Sequence, residues 1–261
     1  MRRFLSTLAA LVLLACGGGG GGNPATPAEA PAPPVVTQAG ISLLFMGNSH
    51  TSVNDIPGMV AAIVRVMRPN VSVSSVEVPG WLFLDERLAD EASVRLLREG
   101  RWNFVVLQAQ KYSSSGQFTY STSEAESWVR MTRAVNAVPI LFPEWPRRGV
   151  AETQRIYDLH VSIARREPAC VAPIGQAWDL ALSRHPELVL HDADGNHSAP
   201  AGAFLAALVI ATTITGTSPV QLPFLQQLPV DAQTQAKLRA VAAETVLAVS
   251  PRQYCPADPF A

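Results

Sequence analysis

The sequence has little charge and no excess of either sign. Charged residues make up 16% of its 261 residues, and 20 lysines and arginines face 21 aspartates and glutamates, for a formal net charge of -1. No stretch rich in lysine or arginine follows the first three residues. Nucleic-acid-binding proteins present a basic surface, so the composition argues against nucleic acid as a partner. Any ligand must be recognised by local groups.

Cysteine is scarce, and no spacing typical of a metal site appears. The chain has three cysteines, and Cys170 and Cys255 lie far apart in sequence. His160, His185 and His191 also lack the mutual spacing of metal ligands. The sequence therefore predicts no metal and no cofactor.

The N-terminal apolar segment is too short for a typical membrane-spanning helix. Arg2-Arg3 precede an apolar run from Phe4 to Leu14, which is the pattern of an export signal. Leu13-Leu14-Ala15-Cys16 resembles the lipobox of bacterial lipoproteins, in which the cysteine is lipidated and becomes the first mature residue. We expect a lipidated Cys16 to hold an exported protein at a membrane surface. The alternative is an ordinary secretory signal that contains a cysteine.

A segment of low complexity follows Cys16. Residues 17–22 are all glycine, and residues 23–34 are dominated by proline and alanine, so neither can bury apolar surface. We predict a lipoprotein signal peptide over 1–16, a tether over 17–39 and one globular domain over 40–261. Gly17 after the cysteine resembles lipoproteins sorted to the outer membrane, which favours that membrane over the inner one.

From Ile41 onward, short apolar runs rich in β-formers alternate with longer segments of helical spacing. The runs recur about every 30 residues, the size of a βαβ unit. This pattern predicts an α/β fold with a doubly wound, flavodoxin-like parallel sheet of about five strands and helices on both faces. The predicted strands are 41–46, 71–78, 104–108, 138–142 and 169–174. The predicted helices are 56–67, 84–98, 123–134, 151–166, one that begins near Pro200, and 232–249.

Two short motifs bear side chains suited to nucleophilic catalysis. Gly47-Asn48-Ser49 follows the first predicted strand, at the edge where ligands bind in open parallel sheets. Asp194-Gly195-Asn196-His197 is the only Asp-x-x-His in the sequence. A serine is a weak nucleophile unless a histidine removes its proton, and a carboxylate fixes the tautomer of that histidine. Each motif alone is also a common turn, but together they predict hydrolysis. We expect His50 to cap or pack.

These motifs resemble the SGNH, or GDSL-like, hydrolase superfamily, in the branch whose first block reads Gly-Asn-Ser. The resemblance covers most of residues 41–215. It implies that Ser49 is the nucleophile, His197 the base and Asp194 the carboxylate of a catalytic triad. It also implies that the backbone N–H groups of Ser49 and of Gly80, the second-block glycine, stabilise the oxyanion.

The third block departs from the pattern of that superfamily. Many members carry Gly-x-Asn-Asp after the third strand, with the asparagine amide in the oxyanion hole. This chain has Gln108-Ala109-Gln110 instead. Gln110 occupies the asparagine position if Gln108 aligns with the glycine, so Gln110 is the first choice for the third donor and Gln108 the second. Both glutamines could instead be satisfied polar groups that close the strand end.

Export to an oxidising compartment would allow the two remaining cysteines to pair. A disulfide between Cys170 and Cys255 would then close a long loop. In the chain-entropy model such a bond stabilises the folded state by roughly 4 kcal/mol. The alternative is two separate buried thiols.

The sequence as a whole predicts an extracytoplasmic esterase that cleaves acetyl or other short-acyl esters, carried by small molecules or glycans. Trp81, Tyr112 and Trp145 lie near predicted strand ends, where they could line a carbohydrate-facing rim or pack. Apart from the membrane, reached through Cys16, no protein partner is predicted. Two alternatives remain open: an acyltransferase with the same triad, and an inactive glycan-binding or envelope lipoprotein. The protein would face the periplasm or the cell surface.

Overall fold

A parallel five-stranded sheet forms the centre of the fold in the computed structural model, which describes residues 40–256. The strands are β1 (Ile41–Met46), β2 (Val73–Glu77), β3 (Phe104–Leu107), β4 (Val138–Leu141) and β5 (Cys170–Val171). They lie in the order β2-β1-β3-β4-β5, and each neighbouring pair is parallel. This confirms the predicted doubly wound sheet. The predicted signal peptide and tether, with Cys16, lie outside the described residues.

Nine α-helices and one short 3₁₀ helix, Pro219–Gln221, accompany the sheet within residues 40–256. The α-helices are α1 (Ser49–Ser52), α2 (Ile56–Met67), α3 (Leu84–Leu88), α4 (Glu91–Glu99), α5 (Ser123–Ala134), α6 (Thr153–Arg166), α7 (Ile174–Arg184), α8 (Pro200–Thr215) and α9 (Ala232–Ala248). In this described part of the chain, no helix has both the length and the apolar character needed to cross a membrane.

The helices cover both faces of the sheet, because side chains alternate along each strand. Leu43 and Phe45 of β1 join one apolar core with α2, α7, α8 and α9. Leu44 and Met46 join a second core on the opposite face, with α3, α4, α5 and α6. Residues 202–215 of α8 are all buried, as expected for a helix that is apolar on every side.

Two predicted elements differ clearly from those observed, and one long helix was not predicted. The helix predicted over 84–98 is two helices, because the Asp90 side chain accepts a hydrogen bond from Ser93 N and caps α4 separately. The strand predicted over 169–174 contains only the two residues of β5, and Ile174 already begins α7. Helix α7 itself was not predicted.

A disulfide bond joins Cys170 in β5 to Cys255, across a sequence separation of 85 residues. Next to it, Val171 N donates to Pro251 O at 3.0 Å. The segment after α9 is thus attached to the edge of the sheet by both a covalent bond and a backbone hydrogen bond.

Candidate active site

Ser49 lies immediately beyond the carboxyl end of β1, as the first residue of α1. Asn48 caps this helix, since its Oδ1 accepts a hydrogen bond from His50 N at 3.0 Å. Gly47 permits the tight packing beneath the turn: a Cβ there would lie 2.1 Å from Thr51 Oγ1 and 2.5 Å from Gln108 Oε1. The serine is therefore held at a fixed point above the sheet.

Asp194 and His197 lie in the loop that precedes α8, and this loop brings His197 to Ser49. His197 Nε2 is 2.8 Å from Ser49 Oγ, and its Nδ1 is 2.5 Å from Asp194 Oδ2. The other carboxylate oxygen of Asp194 accepts the backbone N–H groups of Asn196 and His197, at 2.8 and 2.9 Å. The three predicted triad residues are thus joined by consecutive hydrogen bonds.

The hydrogen bonds to Asp194 determine its charge. The N–H of Asn196, then the ring and the N–H of His197, hold the pKa of this carboxyl well below its usual range. The carboxylate therefore remains ionised at neutral pH. An ionised carboxylate at Nδ1 keeps the proton on that nitrogen, which leaves Nε2 free to accept the proton of Ser49.

Packed aromatic rings support the loop that carries Asp194 and His197. Trp145 Nε1 donates to Asn196 O at 2.8 Å, and the indole of Trp145 stacks on that of Trp178 with centroids 4.6 Å apart. His50 lies between the rings of His197 and Trp145, with centroid distances of 5.0 and 5.3 Å. Trp145 is only 2% exposed, so of the two roles that the sequence left open for it, rim or packing, the structure shows packing. It positions the loop, a role that sequence spacing could not indicate.

Gln108, the second choice for the third oxyanion donor, is fully buried and bonded within the protein. Its Oε1 accepts from Asn48 N at 2.8 Å and from Thr51 Oγ1 at 2.9 Å, and its Nε2 donates to Glu144. Gln108 therefore ties the end of β1 to the loop after β4. Glu144, to which no sequence pattern points, is placed by this bond beside the Gly47-Asn48-Ser49 turn.

Gln110, the first choice for the third donor, reaches the cleft beside Ser49. Ala109 before it has a φ of 75°, an uncommon conformation for a residue with a Cβ. The amide nitrogen of Gln110 donates to Lys111 O and Ser121 O, at 2.8 and 2.9 Å. These bonds occupy both hydrogens of the amide. One of them must break before Gln110 can bind an oxyanion.

Gly80 follows β2, as the sequence predicts, and has a φ of 84° that favours glycine. It lines a shallow groove next to the cleft, whereas its neighbour Trp81 lines the cleft itself. Whether Gly80 serves the oxyanion stays a prediction.

The cleft above Ser49 and His197 has a volume of about 640 Å³ and combines aromatic with charged walls. Trp81 is 67% exposed, and Lys111 lies 4.9 Å above the ring of Phe83 while pairing with Asp85 at 2.6 Å. The other aromatic and charged lining residues are Tyr112, Tyr120, Glu144 and Arg147.

Tyr112 contributes a hydroxyl that stays protonated at neutral pH. Burial raises its pKa, and the nearby carboxylates of Glu144 and Glu152 raise it further. In the part of the chain that the structure covers, no group of three or more His, Cys, Asp or Glu side chains could hold a metal ion. Ring faces and hydrogen-bonding side chains together line the cleft.

Comparison with known proteins places the fold. No protein-family model matches the sequence, and no curated protein matches it. A protein assigned to the SGNH hydrolases from Slackia heliotrinireducens is 25% identical, with a TM-score of 0.54, over 66% of this chain and 97% of its own. A DUF4886 family protein from Bacteroides uniformis is 14% identical, with a TM-score of 0.63, over 82% of this chain and 96% of its own.

A family 3 carbohydrate esterase from Clostridium thermocellum is 10% identical, with a TM-score of 0.51, over 66% of this chain and 94% of its own. These structures share the fold of the chain, which is the SGNH hydrolase fold. The likeness to the Slackia protein also supports the prediction of an SGNH-type hydrolase.

Proposed function

We propose that this chain, which has the SGNH hydrolase fold, is a serine esterase that removes acetyl or other short acyl groups from glycans outside the cytoplasm. One observation carries the proposal: consecutive hydrogen bonds join Asp194 to His197 and His197 to Ser49. This geometry activates a serine nucleophile, and an inactive binding protein would have no need of it.

The proposed reaction proceeds through an acyl-enzyme. His197 Nε2 takes the proton of Ser49 as Oγ attacks the ester carbonyl, and Asp194 stabilises the resulting imidazolium. Collapse of the tetrahedral intermediate breaks the ester bond, and His197 gives its proton to the departing alcohol. Water then attacks the acyl-serine and loses a proton to His197. Collapse of this second tetrahedral intermediate breaks the bond between the acyl carbon and Ser49 Oγ, His197 returns its proton to Oγ, and the free acid leaves.

The proposed oxyanion donors are the backbone N–H groups of Ser49 and Gly80. Gln110 joins them only after it releases Lys111 O or Ser121 O, to which its amide is bonded. Each such donor is worth about 10²–10³ in turnover. Rearrangement of Gln110 on substrate binding would therefore couple occupancy of the cleft to catalysis.

The walls of the cleft support a glycan carrier. Exposed ring faces such as that of Trp81 stack on the apolar faces of sugars, while charged side chains bind hydroxyl groups. The disulfide between Cys170 and Cys255 supports an oxidising, extracytoplasmic location. In the same proposal a lipidated Cys16 anchors the protein to the membrane. Mass spectrometry of the mature N-terminus tests this, and an unmodified Cys16 would rule the anchor out.

Reaction with a fluorophosphonate tests the nucleophile directly. We expect the label on Ser49 by peptide mapping, and we expect Ser49→Ala to abolish both labelling and hydrolysis of p-nitrophenyl acetate. Ser74→Ala, which changes an exposed serine of β2, is the control and should behave as wild type. Full activity of a purified Ser49→Ala protein would refute the assignment.

Acetate release tests the proposed carrier. Acetylated polysaccharides should be cleaved with a higher kcat/KM than p-nitrophenyl acetate, and longer p-nitrophenyl esters should be poorer substrates. A preference for long acyl chains, with no release from polysaccharide, would contradict the glycan proposal and leave the triad in place.

A further inference from the structure

A single buried arginine connects the ends of β1 and β2. Arg87 of α3 has 0% exposure, and its guanidinium donates to backbone carbonyls on both sides of the candidate site. Nη2 donates to Gly47 O at 2.6 Å and also to Gly80 O. Nη1 donates to Pro79 O at 3.1 Å. No sequence pattern indicates a role for Arg87, because the carbonyls it binds lie in turns that are distant along the chain or irregular.

Nearby carboxylates and one serine hold this buried charge in place. Burial lowers the pKa of Arg87, and the charges of Asp90 and Glu77 oppose that effect. Ser93 Oγ accepts from Arg87 Nη1 at 3.1 Å and donates to Asp90 Oδ2 at 2.5 Å. A buried cation held by so many partners has little freedom to move, so the carbonyls bonded to it are fixed as well.

Fixing a carbonyl also fixes the N–H of the next residue. The peptide group is planar and trans, so its C=O and N–H point in opposite directions. The bond to Pro79 O therefore sets the direction of the Gly80 N–H, and the bond to Gly80 O sets that of the Trp81 N–H.

A peptide group in the Gly47-Asn48-Ser49 turn is held in the same way. The bond from Arg87 to Gly47 O sets the direction of the Asn48 N–H, which donates to Gln108 Oε1 at 2.8 Å. A single side chain thus controls peptide groups in both the first and the second block.

We propose that Arg87 is a positioning residue of the candidate esterase, which orients the peptide groups around Gly80 and before Asn48 so that the oxyanion donors are in place before substrate binds. This inference rests on the proposed function. Arg87 acts through the backbone and does not touch the substrate. Its effect should therefore appear in turnover, because preorganised donors stabilise the transition state more than the bound ester.

Arg87→Lys tests this role, because lysine keeps the charge and loses the forked donors. We expect kcat for p-nitrophenyl acetate to fall about 10- to 100-fold, somewhat less than the loss of an entire oxyanion donor. KM should change little. The matched control is Arg65→Lys, since Arg65 also donates two bonds to a backbone carbonyl, that of Val73 at the other end of β2. This control should keep the wild-type kcat.

Ser93→Ala provides a second test if Arg87→Lys does not fold, since it removes one partner of the guanidinium and leaves Arg87 intact. It should lower kcat in the same direction with KM unchanged. The role is overturned if a folded Arg87→Lys keeps the wild-type kcat, if Arg65→Lys loses as much, or if Ser93→Ala has no effect where Arg87→Lys cannot fold. Wild-type protein that neither cleaves esters nor reacts with fluorophosphonate would instead overturn the esterase and, with it, this role.

Discussion

At the scale of single residues, the carboxylate of Asp194 determines how the proposed base works. It binds Nδ1 of His197 at 2.5 Å and is itself held ionised by backbone N–H groups. An amide in its place can present a donor to Nδ1 and stabilise the wrong tautomer.

We therefore expect Asp194→Asn to lower kcat by roughly 10³- to 10⁴-fold, because the neutral amide neither fixes the tautomer nor stabilises the imidazolium. Steady-state hydrolysis of p-nitrophenyl acetate measures the loss. Asp192→Asn is the matched control: its exposed carboxylate accepts from Ala193 N, and only its backbone N–H, which the substitution keeps, is bonded to His197. Equal losses in the two variants would show that the loop, and not the carboxylate, is responsible.

The residues of the proposed triad could be identified from the sequence because each lies in a short, recognisable motif. Asp194 and His197 are three positions apart, and Ser49 directly follows an apolar strand. The hydrogen-bond partners of Gln108 and Gln110 could not be predicted from local sequence. Both side chains are buried, and the left-handed conformation of Ala109 and the position of Glu144, which tertiary structure sets, separate the amide bonded within the protein from the amide at the cleft.

At the scale of elements, the loop before α8 depends on the packed rings of His50, Trp145 and Trp178 beneath it. The indole N–H of Trp145 donates to Asn196 O, one residue before the proposed base. This bond limits how far the loop can drift from Ser49.

Trp145→Phe keeps an aromatic ring and removes only the donor. We expect kcat to fall severalfold, because a net hydrogen bond of about 1 kcal/mol corresponds to roughly fivefold in an equilibrium. Trp102→Phe is a matched control, since Trp102 Nε1 donates to Leu96 O at 3.1 Å, in α4. It should leave kcat unchanged. An unaltered kcat in Trp145→Phe would show that stacking alone holds the loop.

Most elements could be predicted from apolar periodicity, including α2 and α5 to the residue. Helix α7 could not be predicted in this way, because the apolar run over 169–174 has the pattern of a strand. In the structure Pro173 precedes the first turn of α7, and α7 packs against α8 in the core. Tertiary packing overrode the local pattern there.

At the scale of the whole molecule, the disulfide bond restricts the unfolded chain far more than the folded one. It closes a loop between residues 85 positions apart and joins the C-terminal segment to the sheet edge.

We expect the double variant Cys170→Ser with Cys255→Ser to lose about 2–5 kcal/mol of unfolding free energy. Hydrolysis at 25 °C should persist, because neither cysteine lines the cleft. Thermal unfolding measures the change, and reduced wild-type protein is the control that should match the variant. If the oxidised wild type and the variant unfolded at the same temperature, the bond would contribute nothing to stability.

Global stability should also depend on pH through His160 in α6. Burial lowers the pKa of this imidazole from 6.5 to about 4, and its Nδ1 is bonded to Ile156 O at 2.8 Å. Between those pH values the unfolded chain binds a proton that the folded protein does not, so stability falls as the pH falls through this range.

His160→Gln should therefore show a smaller loss of unfolding free energy between pH 7 and pH 5 than wild type. Urea denaturation at the two pH values measures it. Ser162→Ala, which changes a side chain of the same helix and removes no titratable group, should retain the wild-type dependence. An unchanged dependence in His160→Gln would assign the effect to other groups.

The two hydrogen bonds of the proposed catalytic triad differ in how far apart along the chain their partners lie. Asp194 and His197 share one turn, whereas Ser49 is 148 positions from His197. The acid–base pair can assemble as soon as its turn closes, but the nucleophile meets it only when β1 and the start of α8 have docked. After dilution from denaturant, esterase activity should therefore return more slowly than helical content. The rate at which activity returns would report the last long-range contact that the domain forms.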